Sequence, residues 1–143
     1  MGKHLVFMYG TSKRGFSRNS ALREQRYIGI AKTEPKYGIF GYGGFPALVD
    51  DVLAEASGVV AGKKIFGELY EVDDACMQEL DKSEGTAKGL FERRDIYLGE
   101  ITMTSLPTDE ATWGSLTRKV AQSYFFKKKL AGAGDCGPLW LQK

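Results

Sequence analysis

Histidine and cysteine are scarce in this sequence, which limits the kinds of catalytic and metal site that the chain can build. Among 143 residues there are one histidine and two cysteines. His4 would have to supply any Ser-His-Asp triad or His-based zinc site, and because it precedes the first apolar segment we expect a structural role. Cys76 and Cys136 lie far apart without the spacing of a metal site. We therefore expect two reduced thiols in a cytoplasmic protein and no metal.

Long apolar runs and a strong excess of charge are also missing. No stretch approaches the ~20 apolar residues of a membrane span, and the first residues resemble a short strand rather than a signal peptide, so we expect no membrane association. The formal net charge is +2, and basic pairs are scattered among acidic ones. We expect no nucleic-acid partner, because Lys127, Lys128 and Lys129 are typical of a solvated strand edge and the aromatic residues before them of strand core.

Standard catalytic sequence motifs are absent as well. The chain has no Gly-x-Ser-x-Gly, no phosphate-binding loop of the Walker type and no dinucleotide-binding fingerprint. Its 18 glycines, in contrast, are numerous and favour many turns. At this length the simplest organisation is a single domain over residues 1–143, in which residues 131–143 form a flexible or docking tail.

Hydrophobic patterning predicts an α+β fold, in which five to seven strands and two short helices form a barrel or a strongly curled sheet. The predicted strands cover residues 3–9, 27–31, 37–40, 47–49 and 63–72, part of 90–104, and 116–128. Helices are predicted at residues 17–25 and 73–83. In the second helix Asp73 is a suitable N-cap, and the apolar stripe comprises Cys76, Met77 and Leu80. A surface excursion is predicted at residues 51–62 and a loop at 106–114.

The first predicted strand leads directly into a loop with the properties of an anion site. The apolar run ends at Tyr9, and Gly10 and Gly15 then enclose a short polar stretch, Thr11-Ser12-Lys13-Arg14. Successive backbone N–H groups in such a loop can turn toward one point and bind a carboxylate or a phosphate. The two basic side chains would add positive charge beside it.

Among the carboxylates, Glu84 stands out by its position at the C-terminal end of the predicted helix at 73–83, directly before Gly85. The negative end of the helix dipole disfavours a second negative charge, so we expect the pKa of Glu84 to be raised if the site is partly buried. A carboxylate with a raised pKa suits a general base working near neutral pH. The alternative is a solvated glutamate at a frayed helix end.

Five short segments follow one another in an order that is characteristic of one protein family. They are Phe7-Met8-Tyr9-Gly10-Thr11-Ser12-Lys13-Arg14-Gly15, Phe45-Pro46-Ala47-Leu48-Val49, Phe66-Gly67-Glu68-Leu69-Tyr70, Leu80-Asp81-Lys82-Ser83-Glu84-Gly85 and Phe91-Glu92-Arg93-Arg94. Together they resemble the γ-glutamylcyclotransferase-like superfamily, which includes the AIG2-like and γ-glutamylamine cyclotransferase proteins. The first segment is similar to the family's Tyr-Gly-Thr/Ser-Leu-Lys-x-Gly signature, and the fourth to Leu-Asp-x-x-Glu-Gly.

The resemblance implies a small mixed β-barrel with short helices and an enzyme that needs neither a metal nor a cofactor. Tyr9, Gly10, Thr11 and Ser12 would form the substrate-binding loop, whose backbone amides bind the α-carboxylate of a γ-glutamyl compound. Glu84 would be the catalytic acid/base, which takes a proton from the substrate α-amino group so that this nitrogen attacks the γ-carbonyl. The reaction would release 5-oxoproline and a free amine, and attack within one molecule supplies the proximity advantage.

Two functions remain open from the sequence. One is a cyclotransferase acting on a small γ-glutamyl amine or amino acid, and the other is a binding protein that keeps the pocket but performs no turnover. Ser12 stands where the family usually has Leu, and Phe91 where it usually has Tyr. Both replacements leave the proton chemistry in place and bear on the identity of the leaving amine. The sequence makes no prediction of the oligomeric state.

Overall fold

Eight strands and two helices make up the part of the chain that the structure, a computed structural model, describes. That part comprises residues 3–9, 25–42, 45–50, 62–83, 91–126 and 134–135. The strands are β1 (His4–Met8), β2 (Arg26–Thr33), β3 (Tyr37–Tyr42), β4 (Phe45–Asp50), β5 (Phe66–Val72), β6 (Phe91–Met103), β7 (Val120–Phe126) and β8 (Gly134–Asp135). The helices are α1 (Asp74–Ser83) and α2 (Glu110–Arg118). The predicted helix at 17–25 and the predicted excursion at 51–62 lie almost entirely outside the described residues.

Five strands close into a barrel in the order β1-β5-β2-β6-β7. β7 returns to β1 in parallel, through the pairing of Val6 with Gln122, whereas the other neighbouring strands are antiparallel. β6 is 13 residues long, so its first half pairs with β7 and its second half with β2. β4, β3 and β8 form a separate three-stranded sheet. The predicted α+β fold with a small mixed β-barrel is confirmed.

The residues of β1 alternate between two apolar clusters. Leu5 and Phe7, together with Tyr9 just beyond the strand, belong to the cluster inside the barrel, whereas Val6 and Met8 belong to the cluster under α1. Successive side chains of a strand point to opposite faces. Because both faces of β1 are covered, its sequence is apolar without interruption. The cluster under α1 also contains Tyr70, Val72, Cys76, Met77, Leu80 and Tyr124.

Helix α1 begins and packs as its sequence predicts. The carboxylate of Asp73 accepts a hydrogen bond from the backbone N–H of Cys76 at 2.8 Å, which confirms the predicted N-cap. The predicted stripe of Cys76, Met77 and Leu80 is buried against the barrel. Burial, with the nearby charges of Asp73 and Glu79, raises the pKa of the Cys76 thiol to about 11. This thiol is therefore protonated at neutral pH. Neither described helix is long and apolar enough to span a membrane.

Gly67 lets β1 and β5 approach closely just before β1 ends. A methyl group added at Gly67 would lie 2.5 Å from Cζ of Phe7 and 2.7 Å from the carbonyl oxygen of Met8. We expect Gly67→Ala to lower the free energy of unfolding by about 2 kcal/mol, because the backbone of β1 would have to move. Chemical denaturation measures this change.

Gly114→Ala is the matched control for that substitution. The methyl group added at Gly114 would meet only the flexible end of the Arg118 side chain, at 3.2 Å. Since alanine favours the interior of a helix, Gly114→Ala should raise stability by about 0.5 to 1 kcal/mol. A Gly67→Ala protein as stable as wild type would contradict the close packing of β1 on β5.

The predicted loop at 106–114 is correct only for residues 106–109, and the predicted strand at 116–128 begins too early. α2 begins at Glu110, where the carboxylate of Asp109 accepts from the N–H of Ala111 at 3.1 Å. It ends at Lys119 in the left-handed conformation, and β7 begins only at Val120. The helix buries Thr112 and Leu116 one turn apart. A stripe of two residues, one of them polar, is a weak helical signal.

A buried carboxylate connects β5 to the segment that precedes α2. Glu71 is 1% exposed, and its oxygens accept from the N–H and the hydroxyl of Thr108 and from the N–H of Asp109, at 2.7–3.0 Å. Burial alone would raise the pKa of Glu71, but the hydrogen bonds from Thr108 and Asp109 outweigh it, so the pKa is lowered. The ionised form of Glu71 thus stabilises this end of the barrel.

Candidate active site

Three chain segments meet at one end of the barrel. Helix α1 starts where β1 starts, since Nε2 of His4 lies 2.6 Å from Oδ1 of Asp74. The helix then runs beside β1 toward the strand's other end. There the hydroxyl of Tyr124 on β7 donates to Asp81 in the last turn of α1 at 2.7 Å. The end of β1, the end of α1 and the end of β7 therefore lie together.

Tyr9 occupies this end and closes the interior core. Its side chain is 5% exposed and belongs to the cluster inside the barrel. Its hydroxyl donates to the backbone carbonyl of Tyr124 at 2.5 Å. The first residue of the predicted substrate loop is thus fixed by burial and by a hydrogen bond to the neighbouring strand.

The other predicted site residues, Gly10, Thr11, Ser12 and Glu84, lie outside the described residues. Their described neighbours in the chain are Tyr9 and Ser83. Ser83 is the last residue of α1. Tyr9, where the predicted loop begins, and Ser83, which precedes the predicted catalytic carboxylate, therefore lie at the same end of the barrel.

A contact chain joins these two points through β7. Tyr124 binds Tyr9 through its carbonyl oxygen and Asp81 through its hydroxyl. The same hydroxyl lies 3.9 Å from the sulfur of Met77, one turn earlier in α1. The second carboxylate oxygen of Asp81 lies 3.7 Å from Nη1 of Arg93 on β6. Sequence reasoning treated Tyr124 as strand core and did not find this role.

Arg94 is a second residue near this end that sequence reasoning did not single out. It shares a face of β6 with Ile96, which lies inside the barrel, and its guanidinium carbon is 4.3 Å from the ring centre of Phe125. Nη1 lies 3.1 Å from a carboxylate oxygen of Asp50, and Nε lies 3.0 Å from Glu92 without the alignment of a hydrogen bond. Period-two alternation from Ile96 is the signal that could have found it. The arrangement places one cation between two carboxylates.

A cavity of about 770 Å³ opens at the other end of the barrel, near the starts of β1 and β7. The charged side chains around it are exposed and of both signs. Its size alone does not make it the reaction site, and we place the candidate site at the end that carries Tyr9. The charged residues lining the cavity include Lys3, Asp95, Glu110 and Arg118. Within the described ranges, no three His, Cys, Asp or Glu side chains are grouped to hold a metal ion.

Solved structures with the same fold cover nearly the whole chain. A uropathogenic E. coli-specific protein superposes with a TM-score of 0.69 over 98% of this chain and 94% of its own, at 14% identity. An AIG2-like protein from Mus musculus superposes with a TM-score of 0.61 over 90% of this chain and 78% of its own, at 18% identity. At these identities the likeness establishes the fold alone.

Two relatives are similar in sequence, and both carry the name "Putative gamma-glutamylcyclotransferase". The relative from Vibrio cholerae is 32% identical over 79 residues, which cover 55% of this chain and 60% of the relative. The relative from Arabidopsis thaliana is 27% identical over 130 residues, which cover 87% of this chain and 66% of the relative. The chain thus aligns with about two thirds or less of the length of either relative.

The chain also matches a protein family over most of its length. Residues 6–132 match the family model described as "Gamma-glutamyl cyclotransferase, AIG2-like". The matched range begins within β1 and runs through β7, so it includes part of β1, the other four barrel strands and both described helices. The sequence resemblance carried by the five segments is thereby confirmed, and the chain belongs to the AIG2-like γ-glutamyl cyclotransferase family.

Proposed function

We propose that this chain is a γ-glutamyl cyclotransferase that converts a γ-glutamyl amine or amino acid into 5-oxoproline and a free amine. One observation carries the proposal beyond family membership. The contact chain from Tyr9 through Tyr124 to Asp81 holds the end of β1 beside the end of α1. Continuation of the chain from these ends leads to the predicted carboxylate-binding loop and to Glu84.

In the proposed reaction the protein binds and folds the substrate, and the substrate supplies its own nucleophile. Backbone N–H groups of Gly10, Thr11 and Ser12 bind the α-carboxylate. Glu84 accepts a proton from the α-ammonium group, and the freed nitrogen attacks the γ-carbonyl carbon. The bond from that carbon to the leaving nitrogen then breaks. Two protons in total leave the ammonium group and two reach the leaving amine, so Glu84 ends unchanged.

Neither His4 nor Cys76 is placed to act as a nucleophile in this reaction. His4 is paired with Asp74 at the opposite end of the barrel. The thiol of Cys76 is buried under α1 and has a pKa of about 11. A mechanism without a covalent intermediate needs neither group, because holding two reacting groups of one molecule together supplies a large part of the acceleration. We also propose a cytoplasmic location, where a buried thiol such as that of Cys76 stays reduced.

Incubation with a panel of γ-glutamyl amines, γ-glutamyl amino acids and glutathione tests the proposal. We expect wild-type protein to release 5-oxoproline from at least one small γ-glutamyl amine or amino acid, detected by liquid chromatography with mass spectrometry. Release should continue in the presence of a metal chelator. If no compound is turned over while one of them raises the melting temperature, the protein is a binding protein that uses the same pocket.

A further inference from the structure

Tyr124 is the one residue in the contact chain that binds both sides of the candidate site. Its carbonyl oxygen accepts from the hydroxyl of Tyr9 at 2.5 Å, and its own hydroxyl donates to Asp81 at 2.7 Å. The side chain is 1% exposed and is packed in the cluster under α1. It lies on β7, which is paired with β6 and β1 within the closed barrel. Tyr124 thus connects the end of β1 and the end of α1 to β7.

The contact with Asp81 matters because the C-terminal end of a helix is weakly held by its own backbone. The last four carbonyl groups of a helix have no partner within it, and helix ends open more easily than helix centres. Asp81 lies in the last turn of α1, three residues before Glu84. Its contact with Arg93 is longer, at 3.7 Å, and lies at the partly exposed surface. The shorter, charge-assisted hydrogen bond from Tyr124, which is partly buried, is the stronger restraint.

We propose that Tyr124 is a positioning residue for the cyclotransfer step, acting through Asp81 to fix the last turn of α1 and with it the approach of Glu84 to the substrate amino group. This role rests on the proposed function. Through its carbonyl oxygen the same residue holds Tyr9, the first residue of the predicted substrate loop. Of the two contacts with Tyr9 and Asp81, the Tyr124 hydroxyl makes only the one with Asp81.

Tyr124→Phe removes the hydroxyl and keeps the ring, so it breaks the contact with Asp81 without opening a cavity. We expect kcat for 5-oxoproline release to fall about tenfold, because a small displacement of a catalytic group slows the chemical step. KM should change less than about twofold, because the loop that binds the substrate carboxylate keeps its support.

Ser123→Ala is the matched control. It removes a buried hydroxyl from the neighbouring residue of the same strand, where Oγ of Ser123 donates to the carbonyl of Phe7 at 2.8 Å. Both variants should lose about 1 kcal/mol of stability, as expected for one buried hydrogen bond. Only Tyr124→Phe should lose kcat. A loss caused by general weakening of the barrel would appear in both.

Two further comparisons separate positioning from simple structural support. Asp81→Asn keeps an acceptor oxygen for the Tyr124 hydroxyl and should retain most of kcat, whereas Asp81→Ala should be as slow as Tyr124→Phe. Adding Tyr124→Phe to Glu84→Gln should produce no further loss of the residual rate, because residues that act through one group are not additive.

The outcomes distinguish the inference from the function on which it rests. Equal kcat values for Tyr124→Phe and Ser123→Ala, or a further tenfold loss in the Glu84→Gln background, would overturn the role of Tyr124 and leave the cyclotransferase intact. A wild-type protein that releases no 5-oxoproline would overturn both. If Tyr124→Phe does not fold, Asp81→Ala removes the same contact from a partly exposed side chain and decides the question.

Discussion

Glu84→Gln should lower kcat for 5-oxoproline release by about 10³-fold, within the range that general acid–base catalysis contributes. The amide has nearly the same shape as the carboxylate but cannot take a proton from the substrate ammonium group. KM should change little, since the loop that binds the α-carboxylate is intact. Steady-state kinetics with the best substrate of the panel measures both constants, and the acid limb of the pH–rate profile should disappear.

Glu79→Gln is the control for loss of a different carboxylate, on helix α1. Glu79 is exposed on α1, and its carboxylate lies 4.0 Å from the ammonium group of Lys82. Such a surface pair contributes at most about 1 kcal/mol to stability. Glu79→Gln should therefore keep wild-type kinetics. A Glu84→Gln protein within threefold of wild-type kcat would remove Glu84 from the mechanism.

Glu71→Gln should destabilise the barrel by about 3 kcal/mol at pH 7, because a charged acceptor of several buried hydrogen bonds is replaced by an amide. The backbone N–H groups of Thr108 and Asp109 can only donate, and that of Thr108 reaches both carboxylate oxygens of Glu71. The amide nitrogen of glutamine would face at least one of them as a second donor. Urea unfolding gives the free energy. Glu100→Gln, an exposed carboxylate 3.5 Å from Lys32, should change it by less than about 0.5 kcal/mol.

Acid should remove the same stabilisation from the wild-type protein. The folded state lowers the pKa of Glu71, so the folded state binds the proton less readily than the unfolded state. The stabilisation is complete above the unfolded pKa of about 4.3 and is lost as the pH falls through the folded value. Wild type should therefore lose more stability than Glu71→Gln between pH 6 and pH 3. Parallel pH dependence in the two proteins would contradict the buried network.

The barrel strands and α1 could be predicted because each carries a strong local signal. β1 is an unbroken apolar run, and α1 has an N-cap at Asp73 followed by a three-residue apolar stripe. α2 could not be predicted in the same way, because its C-cap is Lys119 in a left-handed conformation. A glycine at that position would have indicated the end of a helix. The exposed Trp113 further weakens the apolar pattern that would indicate a helix, because a large apolar side chain lies off the buried face.

The location of the candidate site followed from the resemblance, whereas its supporting contacts did not follow from any local pattern. Tyr124 and Asp81 are 43 residues apart, and Glu71 and Thr108 are 37 apart. An aromatic residue in an apolar strand predicts core packing, and nothing near it indicates what its hydroxyl binds. Such pairs depend on the closure of the barrel, which brings β7 beside β1 and α1.

The central claim is that the substrate's own amino group, and not water, displaces the leaving amine. Mass analysis of the products formed in water enriched in ¹⁸O tests it most directly, with the substrate that the panel identifies. We expect 5-oxoproline without ¹⁸O and one equivalent of free amine, because no water oxygen enters the product when the ring closes. Glutamate carrying ¹⁸O in its γ-carboxylate would show hydrolysis instead and would contradict the account.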